Sequence, residues 1–138
     1  MSSPEKSISE GGRVRASEID FSGLDKCYPR ITSYEAKWVE DHPMFHTTPS
    51  RCPALVDAEL GERLERTARQ VYKSFEGRDY GRVDFRVDAS GAAYVLEFNP
   101  NPDISSDSGF TKALGAASID FTQFVDSVIN EALGRRAG

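Results

Sequence analysis

Apolar residues recur along the chain with spacings that predict three helices. The first helix is predicted over about residues 57–75, because Asp57 suits an N-cap and the apolar residues after it are three or four positions apart. Its predicted buried stripe consists of Leu60, Leu64, Ala68, Val71, Tyr72 and Phe75. Gly77 is expected to end this helix. A short second helix is expected at about residues 110–117.

The last predicted helix begins after Asp120, which together with Gln123 matches a capping box. Its apolar positions again fall on one helical face, and we expect that face to be core rather than a partner surface. The positions are Phe124, Val125, Val128, Ile129, Ala132 and Leu133.

Residues 81–103 alternate in a different way and predict a β-hairpin. In the first strand, one face would hold Val83, Phe85 and Val87, and the other Arg82, Asp84, Arg86 and Asp88. In the second strand, one face would hold Tyr94, Leu96 and Phe98, and the other Val95, Glu97 and Asn99. A turn of two or four residues would place Val87 opposite Ala92, Phe85 opposite Tyr94 and Arg82 opposite Glu97, with Asp84 diagonal to Glu97. A three-residue turn would break this parity unless a bulge restored it.

The polar face of this hairpin holds the candidate chemistry. Asp84, Glu97 and Asn99 offer hard oxygen ligands, which suit Mg²⁺ or Mn²⁺ and not zinc. Three such ligands leave coordination positions for water and phosphate oxygens. Arg82 beside them could bind a phosphate with paired donors. The alternative is a solvated sheet face on which Arg82 pairs with Glu97, and on spacing alone this alternative is favoured.

Composition restricts the class of protein. The chain has 138 residues, 38% hydrophobic and 28% charged, which is ordinary for one α+β domain. The net charge of −5 with mixed signs argues against a nucleic-acid surface, and no apolar run approaches the roughly 18 residues of a membrane helix. With no signal-peptide pattern and two distant cysteines, the cytoplasm is the expected location. Residues 1–16 are predicted to be a disordered tail, 17–134 the domain and 135–138 a second tail, and the proline-punctuated stretch 25–53 a long loop.

Several stretches together resemble the ATP-grasp superfamily, and most closely its D-alanine–D-alanine ligase branch. They are "GRVDFRVD" (81–88) with "AYVLEFNPNPD" (93–103), then "SYEAKW" (33–38), "CPALVDAEL" (52–60) and "SIDFTQFVDSVINEAL" (118–133). The resemblance covers about residues 18–134. It implies an α+β fold, the carboxy-terminal half of an ATP-grasp fold, with an antiparallel sheet and central hairpin packed by helices.

The same resemblance implies roles for individual residues. Asp84, Glu97 and Asn99 would hold two magnesium (or manganese) ions that bridge the phosphates of ATP. Arg82 would stabilise the acyl-phosphate and tetrahedral intermediates. Lys37 would reach the transferred phosphate, although an ordinary exposed lysine is the alternative. Ser108 matches a serine that contacts the acceptor carboxylate, although the sequence alone favours a cap for the helix near residue 110.

Two departures from the family pattern affect the expected function. The amino-terminal substrate domain and the central nucleotide-binding subdomain are absent from this sequence, so the missing half would be a partner, from the same gene or a separate chain. Asp103 stands where the D-alanine ligases have a glycine, which weakens the assignment to that dipeptide ligase and leaves an amino-acid or peptide-like substrate as the expectation. The alternative is that Asp103 turns outward and only shapes the turn after Pro102. We therefore expect part of an ATP-dependent carboxylate–amine ligase that is inactive alone. The alternative is a non-catalytic interaction module, or a remnant, that retains the ATP-grasp scaffold.

Overall fold

A computed structural model describes residues 16–31, 41 and 46–136 of the chain. Within them the elements follow the order of two short strands, a helix, a hairpin and two helices. The bounds are β1 Glu18–Ile19, β2 Ser50–Arg51, α1 Ala58–Ser74, β3 Arg82–Val87, β4 Ala93–Asn99, α2 Gly109–Ala116 and α3 Phe121–Arg136. The strands form two antiparallel pairs, β1 with β2 and β3 with β4. The class is α+β with a hairpin between helices, as the sequence predicts.

Helix α1 begins as predicted, but the left-handed residue that follows its C-cap lies one position before the predicted stop signal, Gly77. Asp57 caps it by accepting the Leu60 N–H at 2.8 Å. At the other end the Gly77 N–H donates to the Tyr72 carbonyl at 2.8 Å, and the Glu76 N–H donates to the Lys73 carbonyl at 3.1 Å. These paired bonds form a Schellman motif, and its left-handed residue is Glu76, with φ of 52°. The expectation that Gly77 ends the helix is wrong in that respect.

Gly77 is nevertheless needed there, for a reason of space. A Cβ at this position would lie 2.5 Å from carbons of the Tyr72 ring, well inside van der Waals contact. The Tyr72 ring packs edge-on against Phe98 of β4, with 6.0 Å between centroids, and Phe75 lies 5.6 Å from the same Phe98 ring. The end of α1 is thus fixed against the hairpin by aromatic contacts.

The hairpin closes with the three-residue turn and carries the bulge that such a turn requires. The Asp88 N–H donates to the Ala92 carbonyl at 3.0 Å, which leaves residues 89–91 as the loop, and Gly91 takes the positive φ of 83°. The strands pair Val87 with Ala93, Phe85 with Val95 and Asp84 with Glu97, so Leu96 is an extra residue in β4.

The pairs expected from the two- or four-residue turn are therefore wrong. Phe85 lies opposite Val95 rather than Tyr94, and Val87 opposite Ala93 rather than Ala92. Because the bulge separates the two halves of β4, Val95 belongs to the apolar face and Tyr94 to the polar one. The predicted assignment of β4 residues to an apolar and a polar face is therefore correct only after the bulge, at Glu97, Phe98 and Asn99.

A second aromatic cluster holds the open end of the hairpin. Phe124 of α3 is buried and packs against Tyr80, Phe110 and Phe121, with centroids 5.2, 5.5 and 6.0 Å away. Tyr80 directly precedes Gly81 and β3, and its hydroxyl bonds the Asn101 side chain at 3.2 Å. The start of β3 and the residues after β4 are thereby tied to the same point.

Helix α3 is capped as predicted but covered less than predicted. The Gln123 N–H donates to Asp120 at 2.8 Å, and the Asp120 N–H donates to Gln123 at 3.1 Å, which completes the capping box. Of the predicted stripe, Phe124 is buried, but Ile129 and Leu133 are 50% and 56% exposed. The expectation that this whole face is core is therefore wrong. The other buried apolar side chains among the described residues are Leu64, Pro102 and Ala117.

Adjacent substitutions at the end of α1 should change stability in opposite directions. Glu76→Gly should raise the free energy of unfolding by about 1 kcal/mol, because glycine adopts the left-handed conformation without strain. Gly77→Ala should lower it by about 1 to 3 kcal/mol, because the added methyl group collides with Tyr72. Urea unfolding followed by circular dichroism measures both. Effects of the same sign would contradict this description of the helix end.

Candidate functional site

The hairpin brings four polar residues to one face at its open end. Asp84 pairs directly with Glu97 across the strands, and Arg82 pairs with Asn99. Arg82 and Asp84 are two positions apart in β3, as are Glu97 and Asn99 in β4, so all four side chains leave the same face of the pleat. The predicted common face is thus confirmed, whereas the predicted register, with Arg82 opposite Glu97, is wrong. The bulge at Leu96 brings Asp84, not Arg82, opposite Glu97.

Arg82 and Asp84 form a two-pronged ion pair within β3. The Arg82 Nε–H donates to Asp84 Oδ1 at 2.7 Å, and Nη2 donates to Oδ2 at 2.9 Å. Hydrogen bonds to Asp84 raise the pKa of Arg82 above its usual value, against the opposing effect of burial, and the charge of Glu97 adds to the rise. The alternative considered for this face, an Arg82–Glu97 pair, is therefore not what forms. Arg82 prefers the carboxylate on its own strand.

The other two oxygen donors differ in their surroundings. Asn99 accepts the Asn101 backbone N–H on its Oδ1 at 2.9 Å, which fixes that oxygen at the end of β4. Glu97 is exposed, and within the described part of the chain its carboxylate makes no hydrogen bond. Two carboxylates and one amide carbonyl on one face are a donor set that fits Mg²⁺ or Mn²⁺. The described residues contain no cluster of three or more His, Cys, Asp or Glu side chains arranged for a metal, so this set depends on the amide of Asn99.

The loop after β4 carries the two remaining candidate site residues that the structure describes, Asp103 and Ser108. Asp103 Oδ1 accepts the Ser105 N–H at 2.9 Å and the Ser105 hydroxyl at 2.7 Å, and these bonds hold the pKa of Asp103 below its usual value. Asp103 is exposed and shapes the turn after Pro102. Ser108 caps α2 by accepting the Thr111 N–H at 3.1 Å, so the capping alternative for Ser108 is confirmed. Lys37 lies outside the described residues.

Arg86 contributes to this face in a way that the sequence does not reveal. It follows Asp84 by two positions in β3, and its Nη1 donates to the backbone carbonyl of Arg30 at 2.7 Å. That bond ties the chain before residue 32 to the candidate face of the hairpin. Alternation predicts the face on which Arg86 lies, but a backbone carbonyl acceptor 56 positions away leaves no signal in the sequence.

This hairpin between helices, with an acidic pair, an arginine and an asparagine on one face, is the carboxy-terminal half of an ATP-grasp fold. A family model described as the D-ala D-ala ligase C-terminus matches residues 6–130. The chain belongs to that family. Among the described residues no helix is both long enough and apolar enough to cross a membrane.

Individual relatives agree with the family assignment. The D-alanine–D-alanine ligase of Burkholderia cenocepacia is 35% identical over 134 residues, which is 94% of this chain and 41% of that protein. The ligase of Clostridium beijerinckii is 33% identical over 78 residues, 56% of this chain and 26% of its own length. The crystal structure of the Bacillus anthracis ligase complexed with ATP superposes with a TM-score of 0.61 at 30% identity, over 67% of this chain and 32% of that one. The chain thus spans less than half the length of these relatives.

The pKa of Asp103 provides a direct test of the loop geometry. Ser105→Ala removes the hydroxyl donor but keeps the backbone N–H, so the pKa of Asp103 should rise while staying below its ordinary value. Because the pKa is lowered in the folded chain, the stability that Asp103 contributes is present above its unfolded pKa of about 3.9 and is lost as the pH falls through the folded value. Carboxyl ¹³C NMR during a pH titration measures the shift. Ser106→Ala is the matched control, and an equal rise there would contradict the assigned contacts.

Proposed function

We propose that this chain supplies the metal- and phosphate-binding part of an ATP-dependent carboxylate–amine ligase. The observation that carries the proposal is the direct pairing of Asp84 with Glu97, with Arg82 and Asn99 on the same face of the hairpin. An unrelated sheet face gains nothing from two carboxylates opposite each other, since like charges in directly paired positions destabilise a sheet. Arg82 balances the charge of Asp84, and a divalent cation would balance that of Glu97 as well, whose carboxylate makes no hydrogen bond within the described residues.

In the complete enzyme these residues would act on the phosphates of ATP. Asp84, Glu97 and Asn99 would hold Mg²⁺ (or Mn²⁺), which neutralises phosphate charge when bound. Arg82 would stabilise the charge that develops as a substrate carboxylate is phosphorylated and an amine then displaces the phosphate. Lys37 would contact the transferred phosphate, and Ser108 and Asp103 would lie near the acceptor substrate. The proposed location is the cytoplasm, where ATP is abundant.

The chain is proposed to act together with the remainder of an ATP-grasp fold, which would provide the second wall of the nucleotide site. Its length relative to the family supports this, because it spans 41% of the Burkholderia relative. The surface of β4 supports it as well. Three consecutive side chains, Tyr94, Val95 and Leu96, are 57%, 43% and 65% exposed. A run of exposed apolar residues on a sheet of two strands is typical of a surface that another segment covers.

A non-catalytic interaction module is the second candidate function. The observation that favours it is the same exposed run on β4, which could serve for binding alone. The two candidates differ in what they require of Glu97. A ligase needs the carboxylate for its cation, whereas a binding module loses nothing when Glu97 becomes glutamine. Joined to the remainder of the fold, Glu97→Gln should abolish ligation and leave association intact.

The chain alone should show no ligase or ATPase activity. One wall of a nucleotide site and three oxygen ligands bind a magnesium–nucleotide complex weakly, because Mg²⁺ gives up its water reluctantly. Phosphate release should stay at the rate of a buffer blank, and calorimetry should detect no ATP binding at micromolar concentrations. Micromolar affinity for ATP would show that the chain carries a complete nucleotide site and would contradict the proposed division into two walls.

Asp103 should disfavour an acceptor that carries a carboxylate. Its lowered pKa keeps it charged at neutral pH, and within the described residues it forms no ion pair with a cation. An acceptor whose carboxylate comes within about 4 Å of the Asp103 carboxylate should bind on the order of tenfold more weakly, because the two negative charges repel. In the complete ligase, Asp103→Gly should therefore increase phosphate release with D-alanine as acceptor. Robust D-alanine ligation before the change would contradict the proposed selectivity.

A further inference from the structure

Tyr80 contacts both ends of the loop that follows β4, residues 100–108. Its hydroxyl donates to the side-chain Oδ1 of Asn101, the second residue of that loop, at 3.2 Å. Its ring centroid lies 5.6 Å from that of Phe110, in the first turn of α2, and 5.2 Å from that of Phe124, which is only 2% exposed. Packing therefore holds the ring, and the hydroxyl reaches the start of the loop.

Asn101 carries this restraint to Asn99, the last residue of β4. The Asn101 backbone N–H donates to Asn99 Oδ1 at 2.9 Å. Because an N–H requires an acceptor, this bond also determines which end of the Asn99 amide is the oxygen. Pro100 lies between the two residues, and its ring fixes φ at that position, which restricts the turn further. The side-chain oxygen of Asn99 is thereby oriented by its neighbours.

This bond leaves Asn99 able to bind a cation. A carbonyl oxygen has two lone pairs, and the Asn101 N–H uses one of them, so the other can bind a metal ion. An amide is neutral and attracts a cation less strongly than the carboxylates of Asp84 and Glu97 do. Its contribution therefore depends more on being oriented before the cation arrives, because a freely rotating side chain loses rotamer entropy on binding.

We propose that Tyr80 is a positioning residue for the cation site. Its hydroxyl acts through Asn101 and holds the Asn99 oxygen in the orientation that binds the cation. This inference rests on the proposed function and gives the hydroxyl a role that the ligands alone do not reveal. A purely structural tyrosine would need only its ring, which already packs against Phe110 and Phe124.

Tyr80→Phe tests the orientation of Asn99 in the metal-free chain. It removes the hydroxyl and keeps the ring, so urea unfolding should change little. In NMR spectra, the three-bond couplings to Asn99 Cγ should change from those of one rotamer to an average, and the Asn101 amide proton should exchange faster with water. Tyr94→Phe is the matched control, because it removes a hydroxyl bonded to Asp88 at 3.3 Å near the turn of the hairpin. It should leave Asn99 and Asn101 unchanged.

The affinity for Mn²⁺ shows whether this orientation matters to the cation. Tyr80→Phe should weaken Mn²⁺ binding by about two- to tenfold, the effect of losing one hydrogen bond, as measured by the EPR signal of free Mn²⁺. Tyr94→Phe should leave the affinity unchanged. Asn101→Ala removes the acceptor of the Tyr80 hydroxyl but keeps the backbone N–H, and it should weaken binding by the same factor. The double variant of Tyr80 and Asn101 should bind no more weakly than either single variant, because both changes remove one and the same bond.

The positioning role can be contradicted in several ways. An unchanged Mn²⁺ affinity in Tyr80→Phe, with or without a change in the Asn99 couplings, would overturn it and leave the cation site standing. Effects of Tyr80→Phe and Asn101→Ala that multiply in the double variant would overturn it too, because the two residues would then act independently. If Mn²⁺ causes no change at residues 84, 97 and 99 of the unmodified chain, the proposed cation site is wrong, and the positioning role with it.

Discussion

The candidate site depends on one backbone irregularity, the bulge at Leu96 in β4. The three-residue turn at residues 89–91 sets a register in which uninterrupted pairing would send Glu97 and Asn99 to the face opposite Asp84. One extra residue in β4 reverses that and brings the acids together. Regular pairing that included Leu96 would keep both strands and all their side chains, but it would place Leu96 opposite Asp84 and separate the two carboxylates. The chemistry of the face therefore depends on the turn and the bulge together.

Packing around the hairpin fixes the open end, where the four polar residues lie. The Tyr80, Phe110 and Phe124 cluster holds the chain immediately before β3, and Tyr72 and Phe75 hold Phe98 on the apolar face next to Glu97 and Asn99. Arg135 of α3 adds a paired ion bridge to Asp79, at 2.5 and 2.9 Å. Residues in or next to three helices contact the open end, whereas the middle of β4, at Tyr94 to Leu96, is exposed.

The features that the sequence predicts correctly are local ones. Asp57 and the Asp120–Gln123 box act within one helical turn, so their partners are close in the sequence and their geometry follows from residue type. The common face of Asp84, Glu97 and Asn99 is also predicted correctly, but the prediction rests on a two- or four-residue turn, whereas the structure reaches that face through a three-residue turn and a bulge. The sequence could not predict the register itself, because turn length and bulge position depend on packing of the whole hairpin.

Other features depend on competition between partners that a linear pattern does not rank. The sequence places both Glu97 and Asp84 near Arg82. Arg82 pairs with Asp84 on its own strand, because the planar guanidinium forms two parallel hydrogen bonds with that carboxylate. The stripe on α3 showed which residues share a face but not whether anything covers Ile129 and Leu133. Alternation along β3 predicts that Arg86 lies on the polar face. Its hydrogen bond to the Arg30 carbonyl depends on the path of a loop distant in the sequence. Long-range contacts of this kind are set by tertiary structure.

The proposed function requires that Asp84, Glu97 and Asn99 hold divalent metal on the hairpin face. Paramagnetic broadening by substoichiometric Mn²⁺ in an assigned ¹⁵N spectrum of the chain tests it most directly, because the effect falls steeply with distance from the ion. Broadening should centre on residues 82–84 and 97–99 and should disappear in Asp84→Asn combined with Glu97→Gln. Broadening centred on another acidic group, such as Glu18 and Asp20 beside Arg51, or spread evenly over the acidic surface, would contradict it.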